Sequence, residues 1–131
     1  MIVIYSDGGA RGNPGPAASA YVVFENEKMI NSSSKYLGVT TNNVAEYNGV
    51  IMALEGIKNT EIKFCMDSEL VVKQLTGHYK IKDAKLIDLS LRVKKIIHDN
   101  NLKVNFVHVP RKENSYADKL VNEKLDDSSR L

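Results

Sequence analysis

From residue 43 to residue 126, helix-length apolar stripes alternate with short apolar runs, and few architectures accommodate that pattern. Tyr47, Val50, Ile51, Leu54 and Ile57 recur at helical spacing over 43–58. The run 61–67 (EIKFCMD) suits a strand ending in Asp67, and 68–76 suits a short helix closed by Gly77. Leu86, Leu89, Val93, Ile96 and Ile97 share one face of a helix over 83–99. A strand over 102–109 (LKVNFVHV) and a helix over 114–126, built on Ala117, Leu120, Val121 and Leu125, complete the chain. Helices of this length between strands act as crossovers, which implies a mixed sheet with helices on both faces.

Ahead of these elements lie three strand-like runs, 2–7, 17–25 and 28–37, predicted as antiparallel neighbours across short turns. Residues 7–16 (DGGARGNPGP) hold four Gly and two Pro, which predicts a turn or loop. The predicted order is βββαβααβα, an α/β fold with a five-stranded mixed sheet. One domain over 1–131 is expected, with a loose end from about residue 127.

Composition excludes several classes. With 43% hydrophobic and 26% charged residues the chain is an ordinary globular one, neither disordered nor fibrous. No apolar run approaches the roughly 18 residues that span a membrane. The opening MIVIYSD has no basic segment, so no signal peptide is expected. The single Cys65 excludes an internal disulfide and a multi-cysteine zinc site, and fits a reducing, cytoplasmic setting. A net charge of +2 gives no electrostatic footprint of its own, so any nucleic-acid contact must come from local placement of charge.

Four carboxylates share a placement. Asp7 and Asp67 each end a predicted strand, and if those strands are parallel neighbours both emerge at the carboxyl edge of the sheet, where open α/β sheets bind ligands. Glu46 and Asp118 each lie in a first helical turn, offset from the apolar stripe so as to lean toward the sheet. Each also has a structural reading. Asp7 suits a turn and Asp67 an N-cap, while Asn43–x–x–Glu46 and Ser115–x–x–Asp118 resemble capping boxes. Four acids gathered at one edge would repel unless a hard divalent cation sat among them. Two such ions roughly 4 Å apart stabilise both oxygens of a phosphodiester displacement.

The blocks YSDGGARGNPGP, TTNNVAEYNGVIMALE, MDSELV and ENSYADKLVN resemble, in order, the catalytic blocks of type I ribonuclease H. The likeness runs from Ile2 to about Leu125 and implies a ribonuclease H-like fold. It implies a metal-dependent endonuclease that cuts the RNA strand of an RNA–DNA hybrid, leaving 5′-phosphate and 3′-hydroxyl ends. The catalytic acids fall on Asp7, Glu46, Asp67 and Asp118. They would hold two Mg²⁺ ions, with Mn²⁺ as a substitute: Asp7 and Asp67 shared between the two, Glu46 on one and Asp118 on the other. The nucleophile implied is a water whose pKa the cation lowers.

Telling RNA from DNA requires reading the 2′-hydroxyl across a wide minor groove. Backbone amides of Gly8, Gly9, Ala10 and Arg11 are expected to approach the groove, and Asn13 suits its edges. The resemblance places Asn42 and Asn43 at the groove and Thr41 at a DNA phosphate. Helix capping is an alternative for Thr41–Asn43, and an ordinary turn for Asn13–Pro14–Gly15.

The sequence departs from the family pattern in two places. The His that many members carry on a loop before the last helix matches His108, yet LKVNFVHVPRKEN reads as a strand through His108 with Pro110 fixing its end. Arg111 is the other candidate for that outer role, and Asn114 resembles a residue that braces the last helix. Only GHYKIKDAK separates the two middle helices, so the basic protrusion of some members is missing. Lys80 and Lys82 are candidates to replace it, or are solvated surface lysines. A bare catalytic domain acting as a monomer is expected, with no hybrid-binding module ahead of it. One alternative keeps the fold but changes the substrate, a nuclease that also cuts double-stranded RNA; another is of a different class, a hybrid-binding module without catalysis.

Overall fold

The structure, a computed structural model, describes residues 1–129. Five strands form one sheet: β1 (Ile2–Ala10), β2 (Gly15–Glu25), β3 (Lys28–Thr40), β4 (Glu61–Met66) and β5 (Lys103–His108). Their order is β3-β2-β1-β4-β5. β1, β2 and β3 pair antiparallel, while β1–β4 and β4–β5 are parallel. The helices are α1 (Asn42–Glu55), α2 (Glu69–Leu75), α3 (Ala84–Asp99) and α4 (Ser115–Ser129), with a 3₁₀ turn over Arg111–Asn114 before α4. This is the predicted βββαβααβα order.

Strand alternation divides the core in two. Ile2, Ile4, Ile62, Phe64 and Met66 pack on one face against Tyr47, Val50 and Leu54 of α1, Val71 of α2 and Val93 of α3. Ala18 and Ala20 face the other way, under Val121 and Leu125 of α4. The small alanines let α4 lie close to β2. Among the described residues no helix is long and apolar enough to cross a membrane.

Two boundaries differ from the sequence expectation. β1 continues past Asp7 to Ala10, so DGGA is strand and the turn is confined to residues 11–14. Gly8 serves close approach instead of a turn: a Cβ there would lie 2.3 Å from the carbonyl carbon of Ala45, so Gly8 is where α1 rests on the sheet. Gly49 of α1 makes the matching approach, its missing Cβ 3.1 Å from the Asp7 carbonyl oxygen. At the other end α4 extends to Ser129, so residues 127–129 of the expected loose end are helical, and 130–131 lie outside the described residues.

Candidate active site

The parallel register sets two of the four acids side by side. Ile2 pairs with Ile62 and Tyr5 with Cys65, so the same offset carried two residues on brings Asp7 level with Asp67. Glu46 reaches the same point from the first turns of α1. One carboxylate oxygen from each of Asp7, Glu46 and Asp67 lies within 4.8 Å of the others. Asp118, from the first turn of α4, stands outside this trio but lines the same cleft of about 440 Å³.

The electrostatics are those of crowded, desolvated like charges. Burial, then the carboxylates of Asp67, Glu46 and Asp118, push Asp7 up to about 8, opposed by a hydrogen bond from the Gly8 backbone. Burial pushes Glu46 up to about 7; a hydrogen bond with the Ser68 hydroxyl holds it down and Asp67 adds to the rise. Among the described residues no Lys or Arg forms an ion pair with Asp7, Glu46 or Asp67. Three convergent oxygen donors without a cationic partner fit a hard divalent cation.

The capping alternatives mostly fail. Thr41, not Asn43, caps α1 by accepting from Val44 N at 3.3 Å. Ser68, not Asp67, caps α2 by accepting from Val71 N at 3.2 Å. Ser115 has helical angles (φ −62°, ψ −33°), whereas an N-cap needs an extended residue, so no Ser115–Asp118 capping box forms. Glu46, Asp67 and Asp118 are therefore free of the structural duties their spacing suggested.

The loop residues are laced together. Asn42 Oδ1 accepts from Ala10 N at 2.7 Å, and Asn13 Oδ1 accepts from Asn42 N at 3.0 Å. Arg11 N donates to the Pro16 carbonyl at 2.8 Å. The Ala10 and Arg11 amides are thus engaged within the protein, while both residues line the acidic cleft. Gly8, Gly9 and Asn42 line the acidic cleft, while Asn13, Thr41 and Asn43 line an adjoining one with Asp83 and Lys85.

Arg111 and His108 separate cleanly. The Arg111 guanidinium lines the acidic cleft, its Nη2 3.7 Å from Asp118 Oδ1. His108 ends β5 outside that lining. Asn114 is buried, its Nδ2 donating to the Ser6 carbonyl at 2.8 Å. Lys80 and Lys82 are exposed in the link between α2 and α3, which contains no further helix, and neither lines the cleft.

Sequence reasoning missed two polar cleft residues, Ser68 and Asn122. Ser68 could have been found as the polar residue between Asp67 and a helix. Asn122 carries no signal beyond its place one turn after Asp118.

The chain matches the RNase H family over residues 1–126. It belongs to the RNase H family. Its fold is also that of solved type 1 members. The LC11 RNase H1, solved in complex with an RNA/DNA hybrid, superposes with a TM-score of 0.93 at 41% identity, over 98% of this chain and 99% of that one. RNase H1 from Halobacterium salinarum superposes at 0.89 with 38% identity, over 96% and 98%. The bifunctional protein Rv2228c of Mycobacterium tuberculosis is 39% identical over 95% of this chain. The present RNase H chain spans only 35% of that relative's length, and 64% of the curated halobacterial ribonuclease HI.

Proposed function

We propose that the chain is an endonuclease that hydrolyses the RNA strand of RNA–DNA hybrids, leaving 5′-phosphate and 3′-hydroxyl ends. The observation that carries this reading is the convergence of Asp7, Glu46 and Asp67 within 4.8 Å at the sheet edge, with Asp118 in the same cleft. Family membership and the hybrid held by the LC11 relative support it. Asp7, Glu46, Asp67 and Asp118 would hold two Mg²⁺ ions, or Mn²⁺ in their place. Such ions, when bound, supply charge stabilisation for the attacking and leaving oxygens.

The chain's own residues orient and restrain. Ser68 holds the Glu46 carboxylate while capping α2. Asn13 and Asn42 stiffen the loop that borders the acids, and their amides, with Asn43, suit groove edges where the 2′-hydroxyl is exposed. Thr41 lines the adjoining cleft, where a phosphate of the DNA strand would sit. The guanidinium of Arg111, beside Asp118, is placed to attract the strand being cut.

The test is cleavage of one labelled RNA, presented single-stranded, paired with RNA and paired with DNA. Each is run with Mg²⁺, Mn²⁺ and chelator beside the Asp7→Asn protein. Metal-dependent cutting of the hybrid alone is expected. Equal cutting of duplex RNA would widen the substrate class, and binding without cutting by folded protein would replace the enzyme with a binding module.

A further inference from the structure

The acidic cleft does not end at the four acids. It continues along α4, past Asp118, to a stretch bounded by Arg11 on one side and Asn122 and Leu125 on the other. Arg11 and Arg111 are the two cationic side chains lining the cleft. Arg111 stands at Asp118, whereas Arg11 reaches one to two turns further along the helix. Its Nη2 is 2.7 Å from Asp126 Oδ1, and 3.4 and 3.5 Å from the Asn122 carbonyl and Oδ1.

The backbone and side chain of Arg11 differ in freedom. The backbone is fixed by the bond to Pro16, and its neighbour Ala10 by the bond to Asn42. The side chain is 44% exposed, and so is most of its partner, at 52%. An exposed pair of this kind contributes little to stability, so exchanging one oxygen partner for another costs little. A guanidinium presents forked donors that match phosphate as well as carboxylate.

We infer that the Arg11 side chain is a phosphate-binding residue for the RNA strand, engaging a phosphate beside the one that is cut, and that Asp126 holds it in reserve in the free protein. The inference rests on the function proposed above. A strand whose scissile phosphate lies at the acids must run its neighbours along the same cleft. Asn122 lies four residues beyond Asp118, roughly 6 Å along the helix. Each strand of a B-form duplex carries a charge about every 3.4 Å of helix axis, which places Arg11 within one or two phosphates of the acids. Flanking phosphates lie away from the carboxylates that would hold the cations, and Arg11 is a cationic side chain that lines the cleft there.

The alternative role for Arg11 is a latch that merely ties the loop to α4. The two roles make opposite predictions for Asp126. Hybrid cleavage is measured for wild type, Arg11→Ala and Asp126→Ala at several salt concentrations, with melting temperatures alongside. A phosphate contact predicts that Arg11→Ala raises KM about tenfold, with most of the loss in KM rather than kcat. It also predicts a salt dependence of KM shallower by about one unit on a log–log plot. Asp126→Ala removes the competing carboxylate and lowers KM two- to fivefold. A latch predicts that both variants weaken cleavage together and lower the melting temperature together, and that outcome overturns the inference. An unchanged salt slope in Arg11→Ala overturns it as well. Wild-type protein that cuts no hybrid overturns the functional reading and this subsite with it, so the two failures are told apart.

Discussion

Asn114 Nδ2 donates to the carbonyl of Ser6 across 2.8 Å, in a buried contact between residues 108 positions apart. Ser6 precedes Asp7 in β1, and Asn114 ends the 3₁₀ turn that leads into α4 and Asp118. One hydrogen bond therefore ties together the segments that carry Asp7 and Asp118. Asn114 Oδ1 and Ser6 Oγ are themselves buried without a protein partner, which marks this spot as polar and tightly enclosed.

Asn114→Ala should strand the Ser6 carbonyl and cost about 1–3 kcal/mol of stability by chemical denaturation. Hybrid cleavage at saturating metal should fall further than the folded fraction does, because Asp118 loses its register with Asp7. Asn114→Asp should be worse, since it sets an acceptor and a buried negative charge against a carbonyl. A cleavage rate that merely tracks the folded fraction would confine Asn114 to a structural role.

The raised Asp7 and Glu46 values make metal-free stability depend on pH. Each carboxyl binds its proton more tightly in the folded protein than unfolded, where values near 4 apply. Between those limits the folded state holds more protons, so stability must fall as pH rises from about 4 to 8. Thermal melts in chelator should show that decline. Asp7→Asn should flatten it and raise the melting temperature at pH 8 by roughly 3–5 °C, about 1 kcal/mol, while abolishing cleavage. Mg²⁺ should restore wild-type stability more at pH 8 than at pH 6, where protons compete for the same oxygens.

Much of this site was legible because it depends on local pattern. Asp7 and Asp67 each follow an apolar run, and parallel neighbours expose such residues at one edge. The glycines after Asp7 were harder. In sequence, a glycine needed for close approach looks like one needed for a turn, and only the 2.3 Å clash at Gly8 separates the two. Capping was ambiguous for a similar reason: Thr41, Asn42 and Asn43 all suit an N-cap, and the structure gives that duty to Thr41 while Asn42 bonds within the loop. The contacts of Arg11 with Asp126 and of Asn114 with Ser6 join distant segments. No periodicity encodes such pairs, since they follow from how α4 settles on the sheet.

Arg111 and His108 should respond differently to truncation. Arg111 lies within the cleft beside Asp118, so Arg111→Ala should remove a charge-assisted contact with the bound strand, worth about 1.5–3 kcal/mol. That corresponds to a loss of roughly 10- to 100-fold in kcat/KM. His108→Ala should stay within about twofold of wild type, because the imidazole lies outside the lining of the acidic cleft. A reversed ranking would return the outer role to the histidine and imply that the end of β5 rearranges on substrate.

Ser68 carries two duties that substitution can separate. Its oxygen caps α2 through Val71 N, and its hydroxyl hydrogen bond keeps the Glu46 carboxyl from rising further. Ser68→Ala should cost about 1 kcal/mol through the lost cap. It should also move the rise of cleavage with pH to higher pH, because Glu46 then gives up its proton less readily. Ser68→Thr should keep both bonds and the wild-type profile. Ser68→Asp separates the functions: it can still cap α2, but it adds a fourth negative charge beside Asp7, Glu46 and Asp67. That variant should keep its melting temperature at low pH and lose cleavage near neutrality, where Glu46 stays protonated. A Ser68→Ala pH–rate profile that overlays the wild type would reduce Ser68 to a helix cap and leave Glu46 positioned by α1 alone.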